Sequence, residues 1–281
     1  MIHIITVATH KYGYFDYLVE SYRRHGKSLI VLGYGEPWQG FNWRYTLVLE
    51  YIKSLSPHDI VCFVDGYDVL CTRNLQELGT EFVNLRKKYA CKIIVGEHKI
   101  RNESYEKVMD LLLKTYFSTC KDKALNAGTY IGYCHDLLEI LTQVYAITSD
   151  HKSDDQVLFT KYCQGHEKDI HIDSHNELFL TIANPYRSID EYLEFEHGRL
   201  KYNNQYPFFV HGPGETYLDN IIINLGYPPY HTKVCNEQPA KDYYHKLYFR
   251  WKNSTIMIPI LVVLVVCILL ILIRAWAGNR A

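Results

Sequence analysis

The segment that decides the fold is Asp59-Ile-Val-Cys-Phe-Val-Asp65-Gly-Tyr-Asp68, an apolar run that ends in two aspartates three residues apart. A short run that is apolar without alternation predicts a strand covered on both faces, as in the centre of a parallel sheet. Ligands of open α/β sheets bind beyond the carboxyl ends of such strands. The segment therefore predicts a central parallel strand that delivers Asp65 and Asp68 to a ligand site.

The sequence on either side continues an alternation of apolar runs and helical spacing. The predicted strands are 2–8, 28–32, 91–96 and 124–134, and the predicted helices are 15–25, 44–55, 75–89, 137–148 and 155–163. Strands that alternate with helices are typical of α/β domains. We therefore predict one α/β domain over residues 1–232.

The composition of the chain agrees with a folded body of moderate size. It has 281 residues, of which 48% are apolar, and its 30 Lys and Arg against 31 Asp and Glu give a formal net charge of -1. This balance excludes a strongly basic nucleic-acid binder and an acidic disordered protein as descriptions of the whole chain. It does not exclude a nucleotide ligand, because a bound metal can supply positive charge.

The C-terminal part differs from the rest of the chain. Residues 255–273 carry no charge and are long enough to span a bilayer, and Trp251 and Trp276 flank them. We predict a transmembrane helix there, preceded by a juxtamembrane segment over 233–254 and followed by a short tail over 274–281. The alternative is a buried core helix, although such helices rarely lack a polar face.

Charge and cysteine content predict the side of the membrane. Residues 1–9 lack the basic and apolar regions of a signal peptide and predict a strand. Basic residues are more numerous before the apolar segment than after it, which predicts a single-pass, tail-anchored protein with a cytosolic body. Eight scattered cysteines form no C-x-x-C motif, and we expect reduced thiols; they are Cys62, Cys71, Cys91, Cys120, Cys134, Cys163, Cys235 and Cys267.

Two segments carry candidate metal ligands. Asp65 and Asp68 offer hard oxygen ligands suited to Mn²⁺ or Mg²⁺, and such a cation can bridge a diphosphate. The alternative is a solvated turn with two aspartates. His211, in Phe208-Phe-Val-His211-Gly-Pro-Gly214, ends an apolar strand before a glycine-rich turn. It could complete the metal site, or it could simply be hydrogen-bonded.

Two further segments carry candidate contacts to a substrate. Ser153-Asp154-Asp155-Gln156 precedes a predicted helix, where the carboxylates either cap the helix or orient a sugar hydroxyl. Leu125-Asn126-Ala-Gly128-Thr-Tyr-Ile-Gly132 combines an asparagine with small residues. It either lets a sugar ring approach closely or forms a tight bend. His171 and Asp173 have the H-x-D spacing of non-haem iron oxygenases, but the regular strands of such proteins are missing.

Six segments in one order resemble a known family. They are Thr6-Val-Ala-Thr9, Leu32-Gly-Tyr-Gly-Glu-Pro-Trp38, Phe63-Val-Asp-Gly-Tyr-Asp-Val69, Leu125-Asn-Ala-Gly-Thr-Tyr-Ile-Gly132, Asp154-Asp-Gln-Val-Leu-Phe-Thr160 and Val210-His-Gly-Pro-Gly214. Together they resemble the glycosyltransferase domain of the procollagen lysyl hydroxylases. They are also similar to the collagen-type galactosyl- and glucosyltransferases.

The resemblance implies a GT-A, Rossmann-like fold, a UDP-sugar donor, and Mn²⁺ or Mg²⁺ as cofactor. It implies that Asp65, Asp68 and His211 bind the metal and that Tyr67 packs on the uracil. The other matched positions are Val7, Thr9 and Arg44 for the uridine, Gly212 and Gly214 for the diphosphate, and Trp38, Asn126, Asp154 and Asp155 for catalysis near the sugar and acceptor.

We therefore expect a metal-dependent glycosyltransferase that moves glucose or galactose from a UDP-sugar to the hydroxyl of a protein or glycan acceptor. By the resemblance, that acceptor is hydroxylysine or a hydroxylysine-linked sugar of a collagen-like protein. One departure supports an alternative, because the phosphate-binding lysine of the family turn is Tyr217 here and Glu215 lies near it. The alternative is a degenerate, membrane-anchored module that binds a nucleotide or glycan; a metal phosphoesterase is a third hypothesis.

Overall fold

A computed structural model describes residues 1–99, 118–182, 193–196, 198–213, 216 and 218–229. These residues belong to one compact unit, Met1–Cys235, and a second unit, Asn236–Ala281, lies wholly outside them. No helix in the described ranges is long and apolar enough to cross a membrane. The predicted transmembrane helix, its flanks and the domain boundaries fall outside the described residues and stay predictions.

Eleven strands and six helices are described, close to the predicted bounds where a prediction was made. The strands are β1 (Ile2–Val7), β2 (Ile30–Leu32), β3 (Ile60–Val64), β4 (Val69–Cys71), β5 (Ile93–Glu97), β6 (Leu125–Tyr133), β7 (Ile170–Asp173), β8 (Phe179–Thr181), β9 (Glu194–Glu196), β10 (Arg199–Lys201) and β11 (Phe209–His211). The helices are α1 (Phe15–Arg24), α2 (Arg44–Lys53), α3 (Leu78–Tyr89), α4 (Cys134–Tyr145), α5 (Asp155–Gly165) and α6 (Asp219–Asn224).

The main sheet has six strands in the order β2-β1-β3-β6-β5-β7 and confirms the α/β class. It is mixed, because β6 runs antiparallel to both β3 and β5 while the other pairs are parallel. Glu97 at the end of β5 pairs with Leu125 at the start of β6, so the chain leaves and re-enters the sheet at one edge. The predicted central strand β3 is therefore parallel only to β1, which corrects the expectation of parallel neighbours on both sides.

Burial on both faces explains the apolar run of β3. Val61 and Phe63 belong to a core formed with α2, α4 and α5, whereas Cys62 and Val64 belong to a second core formed with α1 and α3. Successive residues of a strand point to opposite faces, so each face receives alternate side chains. The strand therefore has no polar face, as its sequence predicts.

A second sheet, in the order β4-β11-β8, completes the ligand-binding edge. β4 is only three residues long and has no counterpart among the predicted elements. It pairs antiparallel with β11, in a register that places His211 opposite Val69. This pairing brings a residue from late in the chain beside the end of the Asp65–Asp68 segment.

The cysteines differ from the expectation of reduced thiols throughout. Cys120, just before β6, and Cys163, in α5, form a disulfide with Cα atoms 5.9 Å apart. The remaining cysteines in the described ranges are free and buried, namely Cys62, Cys71, Cys91 and Cys134. Spacing in the sequence carried no signal for the pair, because it depends on how β6 and α5 pack together.

Candidate metal centre

Three side chains from three different strand ends meet at one point. Asp65 follows β3, Asp68 precedes β4, and His211 is the last residue of β11. Their ligand atoms all lie within 4.8 Å of one another. Nε2 of His211 lies 3.3 Å from Oδ1 of Asp68 and 3.6 Å from Oδ2 of Asp65. Two carboxylates and one imidazole in this arrangement form a donor set that a divalent cation accepts.

Gly128 makes room for this group. Its carbonyl accepts a hydrogen bond of 2.8 Å from the N–H of Asp65. A Cβ atom at Gly128 would collide with the carboxylate of Asp65 and lie 2.5 Å from Cε1 of His211. The small residue that the sequence suggested for the approach of a sugar instead accommodates two of the candidate ligands.

Asn126 supports His211 from behind. Its Oδ1 lies 3.1 Å from Nδ1 of His211 and also accepts the N–H of Gly128 at 3.0 Å. Because the amide oxygen accepts, Nδ1 carries the proton in the neutral ring and Nε2 is left to face the carboxylates. Asn126 is buried, with 2% of its surface exposed. The structure thus places this predicted catalytic residue behind the imidazole.

The polar chain continues from Asn126 to α5 through two residues that the sequence did not indicate. Nδ2 of Asn126 lies 3.4 Å from Nδ1 of His98, and the side-chain amide of Gln156 lies 3.3 Å from the same nitrogen. His98 follows β5 and Gln156 lies in the first turn of α5. Only the polar pattern next to Asp155 could have drawn attention to Gln156.

Burial and mutual contact shift the pKa values of two of the candidate ligands, Asp68 and His211. Burial raises the pKa of Asp68, although His211 partly offsets this effect. Burial opposes the charging of His211, but Asp68 and Asp65 outweigh it and raise the pKa of the imidazole. Because both pKa values are raised, protons and a divalent cation would compete for these side chains.

Arg44 lies behind Asp65, at the start of α2. Its guanidinium forms ion pairs with the carboxylates of Asp65 and Asp155 and donates to the carbonyl of Ala127 at 3.3 Å. The two carboxylates raise the pKa of Arg44 further, although burial opposes its charge. Burial raises the pKa of Asp155 to about 7, while Arg44 acts in the opposite direction. Arg44, predicted for the uridine, is thus engaged with carboxylates.

The two aspartates at the start of α5 have different surroundings. Oδ1 of Asp154 accepts the N–H groups of Gln156 at 3.0 Å and Val157 at 3.3 Å, so Asp154 is the N-cap of α5. Asp155 is buried and faces Arg44. Neither carboxylate belongs to the three-ligand group found in the described ranges. The capping alternative therefore describes Asp154.

The residues predicted for the base lie together at the end of β1. The hydroxyl of Tyr67 accepts the N–H of Thr9 at 3.0 Å, and Val7 is the last residue of β1. The ring of Tyr67 is half-buried and lies 5.9 Å from the rings of both His10 and Tyr12, which are exposed. A half-buried aromatic ring offers a surface for stacking a planar base.

Trp38 lies on an exposed aromatic loop. Its ring, 44% exposed, contacts Phe41 and Trp43 edge-on at 5.5 Å and 5.7 Å. The loop is attached to the turn before α5, because the N–H of Asn42 donates to the carbonyl of His151 at 2.9 Å. The structure thus fixes the loop of Trp38 to the turn that leads to Asp154.

The glycines predicted for the diphosphate are described only in part. The N–H of Gly212 donates to the carbonyl of Asp68 at 2.8 Å, and a Cβ there would lie 2.8 Å from Leu218. Gly212 therefore joins β11 to the Asp65–Asp68 segment. Gly214 lies outside the described residues, as do Glu215 and Tyr217.

The H-x-D pair is structural. The carboxylate of Asp173 accepts the N–H groups of Glu177, Leu178 and Phe179 at 2.7–2.9 Å. The ring of His171 stacks on Tyr89 with centroids 3.5 Å apart. Both oxygens of the Asp173 carboxylate are engaged by backbone N–H groups, and the three-ligand group found in the described ranges does not include this pair.

Comparisons with known proteins agree with the resemblance. The family described as PLOD GT domain matches residues 1–227. A procollagen-lysine,2-oxoglutarate 5-dioxygenase of Drosophila melanogaster is 25% identical over 238 residues, which is 78% of this chain and 31% of that protein. The human multifunctional procollagen lysine hydroxylase and glycosyltransferase LH3 is 28% identical over 261 residues, 83% of this chain and 33% of that protein. The chain thus spans about a third of these relatives.

Two of the solved structures similar to this chain are glycosyltransferases. One, involved in the glycosylation of the major capsid of PBCV-1, has a TM-score of 0.46 and 15% identity and covers 87% of this chain and 97% of that one. The galactosyltransferase LgtC, in complex with donor and acceptor sugar analogues, has a TM-score of 0.42 and 11% identity and covers 90% and 99%.

Proposed function

The chain belongs to the PLOD GT domain family of glycosyltransferases, and on that premise we propose that it is a metal-dependent hexosyltransferase of the GT-A class. It moves glucose or galactose from a UDP-sugar to an acceptor hydroxyl. The observation that carries the proposal is the group of Asp65, Asp68 and His211, whose ligand atoms lie within 4.8 Å of one another at the end of β3.

The residues present fit a divalent cation such as Mn²⁺. Nε2 of His211 is buried, makes no hydrogen bond and faces two carboxylates. The missing side chain of Gly128 leaves room for these groups, because a Cβ atom there would collide with Asp65 and His211. When bound, the cation would neutralise the charge of the diphosphate as UDP departs.

The chain's own residues supply binding and orientation. Tyr67 presents its ring beside the end of β1, where its hydroxyl is held by the N–H of Thr9. This arrangement supports stacking of the uracil on Tyr67. Trp38 offers an exposed indole near the start of α5, which supports a role in seating the sugar or the acceptor.

The proposed acceptor is hydroxylysine or a sugar linked to it in a collagen-like protein. Support comes from the relatives, whose names specify procollagen lysine. Three matched collagen-like peptides test the acceptor, with lysine, hydroxylysine or hexosyl-hydroxylysine at one position. We expect mass spectrometry to detect an added hexose on the hydroxylysine or the hexosyl-hydroxylysine peptide and none on the lysine peptide. An added hexose on none of the three, with an active donor reaction, would overturn this acceptor.

Release of UDP tests the reaction itself. The full chain is incubated with UDP-glucose or UDP-galactose and Mn²⁺, and we expect UDP release that EDTA abolishes. The Asp65→Ala/Asp68→Ala double variant is expected to lose at least about 1000-fold in rate, because the cation loses two ligands. Undiminished release by this variant would refute the metal role.

A binding module is the second candidate, and Tyr217 supports it because it stands where the family has a phosphate-binding lysine. A module would bind UDP without releasing sugar from any donor. Calorimetry with UDP, performed beside the donor assay, separates the two candidates. Tight UDP binding together with no turnover would favour the module over the transferase.

We also propose that residues 255–273 anchor the chain in a membrane as a single-pass segment, which their apolar length supports. The flanking charges favour a cytosolic body, whereas the Cys120–Cys163 disulfide favours an oxidising compartment. Cells are lysed under denaturing conditions without reductant, in the presence of an alkylating reagent, and the state of Cys120 and Cys163 decides between the two compartments. Modification of both cysteines supports the cytosol, and modification only after reduction supports an oxidising compartment.

A further inference from the structure

We propose that Arg44 is a positioning residue for the divalent cation: it joins the carboxylates of Asp155 and Asp65 and thereby fixes the orientation of Asp65. The inference rests on the proposed function, because it concerns a ligand of the proposed cation. It gives Arg44 a place in the support of the metal centre instead of the uridine pocket that the resemblance implies. It also gives Asp155 a role through Arg44.

Burial and geometry leave the guanidinium little freedom. The side chain of Arg44 is 8% exposed, and its two terminal nitrogens are paired with different carboxylates. One of these nitrogens also donates to the carbonyl of Ala127 in β6. A planar fork can hold two carboxylates in one geometry, whereas a lysine ammonium acts as a point charge on a flexible stem.

The contact with Arg44 divides the two oxygens of Asp65. Oδ1 faces the guanidinium, while Oδ2 faces Nε2 of His211 at 3.6 Å. A carboxylate held at one oxygen presents the other in a fixed direction. Arg44 therefore determines which oxygen of Asp65 is offered to the cation, as outer hydrogen-bond partners do at other metal sites.

The carboxylates in this region outnumber the arginine beside them. Asp65 and Asp155 pair with the one guanidinium, and Asp68 lies against His211. A divalent cation between Asp65, Asp68 and His211 would add positive charge where carboxylates are crowded and partly shielded from water.

Asp155, the second carboxylate partner of Arg44, is held in place by helix α5. Asp155 is the first residue of α5 and is buried, and Asp154 caps the same helix with hydrogen bonds to two backbone N–H groups. The position of Asp155 is thus set by the helix. Arg44 transmits that position to Asp65.

Binding of Mn²⁺ tests the inference without any measurement of turnover. The dissociation constant of the full chain is measured by electron paramagnetic resonance of free Mn²⁺, with near-UV circular dichroism to check the fold. We expect Arg44→Lys and Asp155→Asn each to weaken binding at least about tenfold. If Arg44→Lys does not fold, Asp155→Asn carries the test.

Two matched controls separate positioning from general effects of charge. Asp154→Asn removes a neighbouring charge but keeps a good helix cap, and Arg86→Lys alters another arginine paired with an aspartate. Both are expected to stay within about threefold of the unmodified chain, below the outer-partner effect. Equal affinities for Asp155→Asn and Asp154→Asn, or an unchanged affinity for Arg44→Lys, would overturn the inference alone. No Mn²⁺ binding by the unmodified chain would overturn the proposed metal role as well.

Discussion

Two arginine–aspartate pairs lie at opposite edges of the main sheet, and they differ in how their charges balance. At the edge where β3 ends, Arg44 is buried between Asp65 and Asp155, and Asp68 adds a further carboxylate. At the other edge, where β6 ends, Arg86 pairs with Asp136 at 3.1 Å, and the Arg86 side chain is 35% exposed.

The difference teaches where a ligand belongs. At the Arg86 edge the paired charges are partly exposed to water; Lys92, for example, is 32% exposed and pairs with Glu139 and Asp169 at 3.1 Å and 3.2 Å. At the Arg44 edge one buried and two partly buried carboxylates, those of Asp155, Asp65 and Asp68, lie near a single buried arginine. Since a buried surplus of charge is costly, it is retained where something else neutralises it. The burial of the surplus, more than the presence of charge, marks the candidate functional edge.

Among the variants, Gly128→Ala is expected to have the largest effect on the Arg44 edge. The added Cβ would displace Asp65 and His211, so Mn²⁺-dependent release of UDP should fall at least about 100-fold. Gly165→Ala, at a position with no neighbouring atom within 4 Å, is the matched control and should keep its rate. If the rate of Gly128→Ala is close to that of the control, the space at Gly128 is not needed for the positions of Asp65 and His211.

Asn126→Ala should have the next largest effect. His211 would lose the acceptor that fixes its tautomer, so Mn²⁺ affinity should fall about 10- to 100-fold. The measurement is a titration with Mn²⁺, and Asn224→Ala, at an exposed position at the end of α6, serves as the control. Equal affinities for the two variants would show that the imidazole needs no support from Asn126.

Asp173→Asn should affect stability and not metal binding, because backbone N–H groups already satisfy this buried carboxylate. An amide cannot accept all three N–H groups, so the free energy of unfolding should fall by about 1–3 kcal/mol. Urea denaturation measures this loss, and Mn²⁺ affinity should not change. A variant that keeps its stability but loses Mn²⁺ would place Asp173 with the functional edge.

Arg86→Lys should have the smallest effect, and it tests the edge of the sheet opposite Arg44. The pair with Asp136 is partly solvated, so stability should change by no more than about 1 kcal/mol. Urea denaturation and Mn²⁺ titration are the two measurements. A weaker affinity for Mn²⁺ would mean that the two edges are coupled and that the comparison fails.

Local patterns predicted the elements of this fold well and their directions poorly. The apolar run of β3 and the helical spacing around it carry their own signals, and the helices begin and end within a few residues of the expected positions. The direction of β6 depends on where the preceding residues return the chain, which periodicity does not encode. β4 is three residues long, too short for any period to be visible.

The residues of the candidate site also fall into those that local patterns predicted and those that depend on the tertiary fold. Asp65 and Asp68 were found because one strand end presents both, and the order of six segments led to His211. The partners behind them, His98 and Gln156, come from different elements and were missed. Asn126 and Arg44 were singled out for contacts with substrate and lie behind the ligands, because a sequence does not tell which way a side chain faces.

The disulfide between Cys120 and Cys163 has a consequence for proteolysis. It closes a covalent ring from the start of β6 to the end of α5. The ring contains Gly128 and Asn126 on one side and Asp154, Asp155 and Gln156 on the other. A single protease cut between residues 121 and 162 would therefore release no fragment until a reductant is added, and the groups on the two sides of the ring would stay covalently joined.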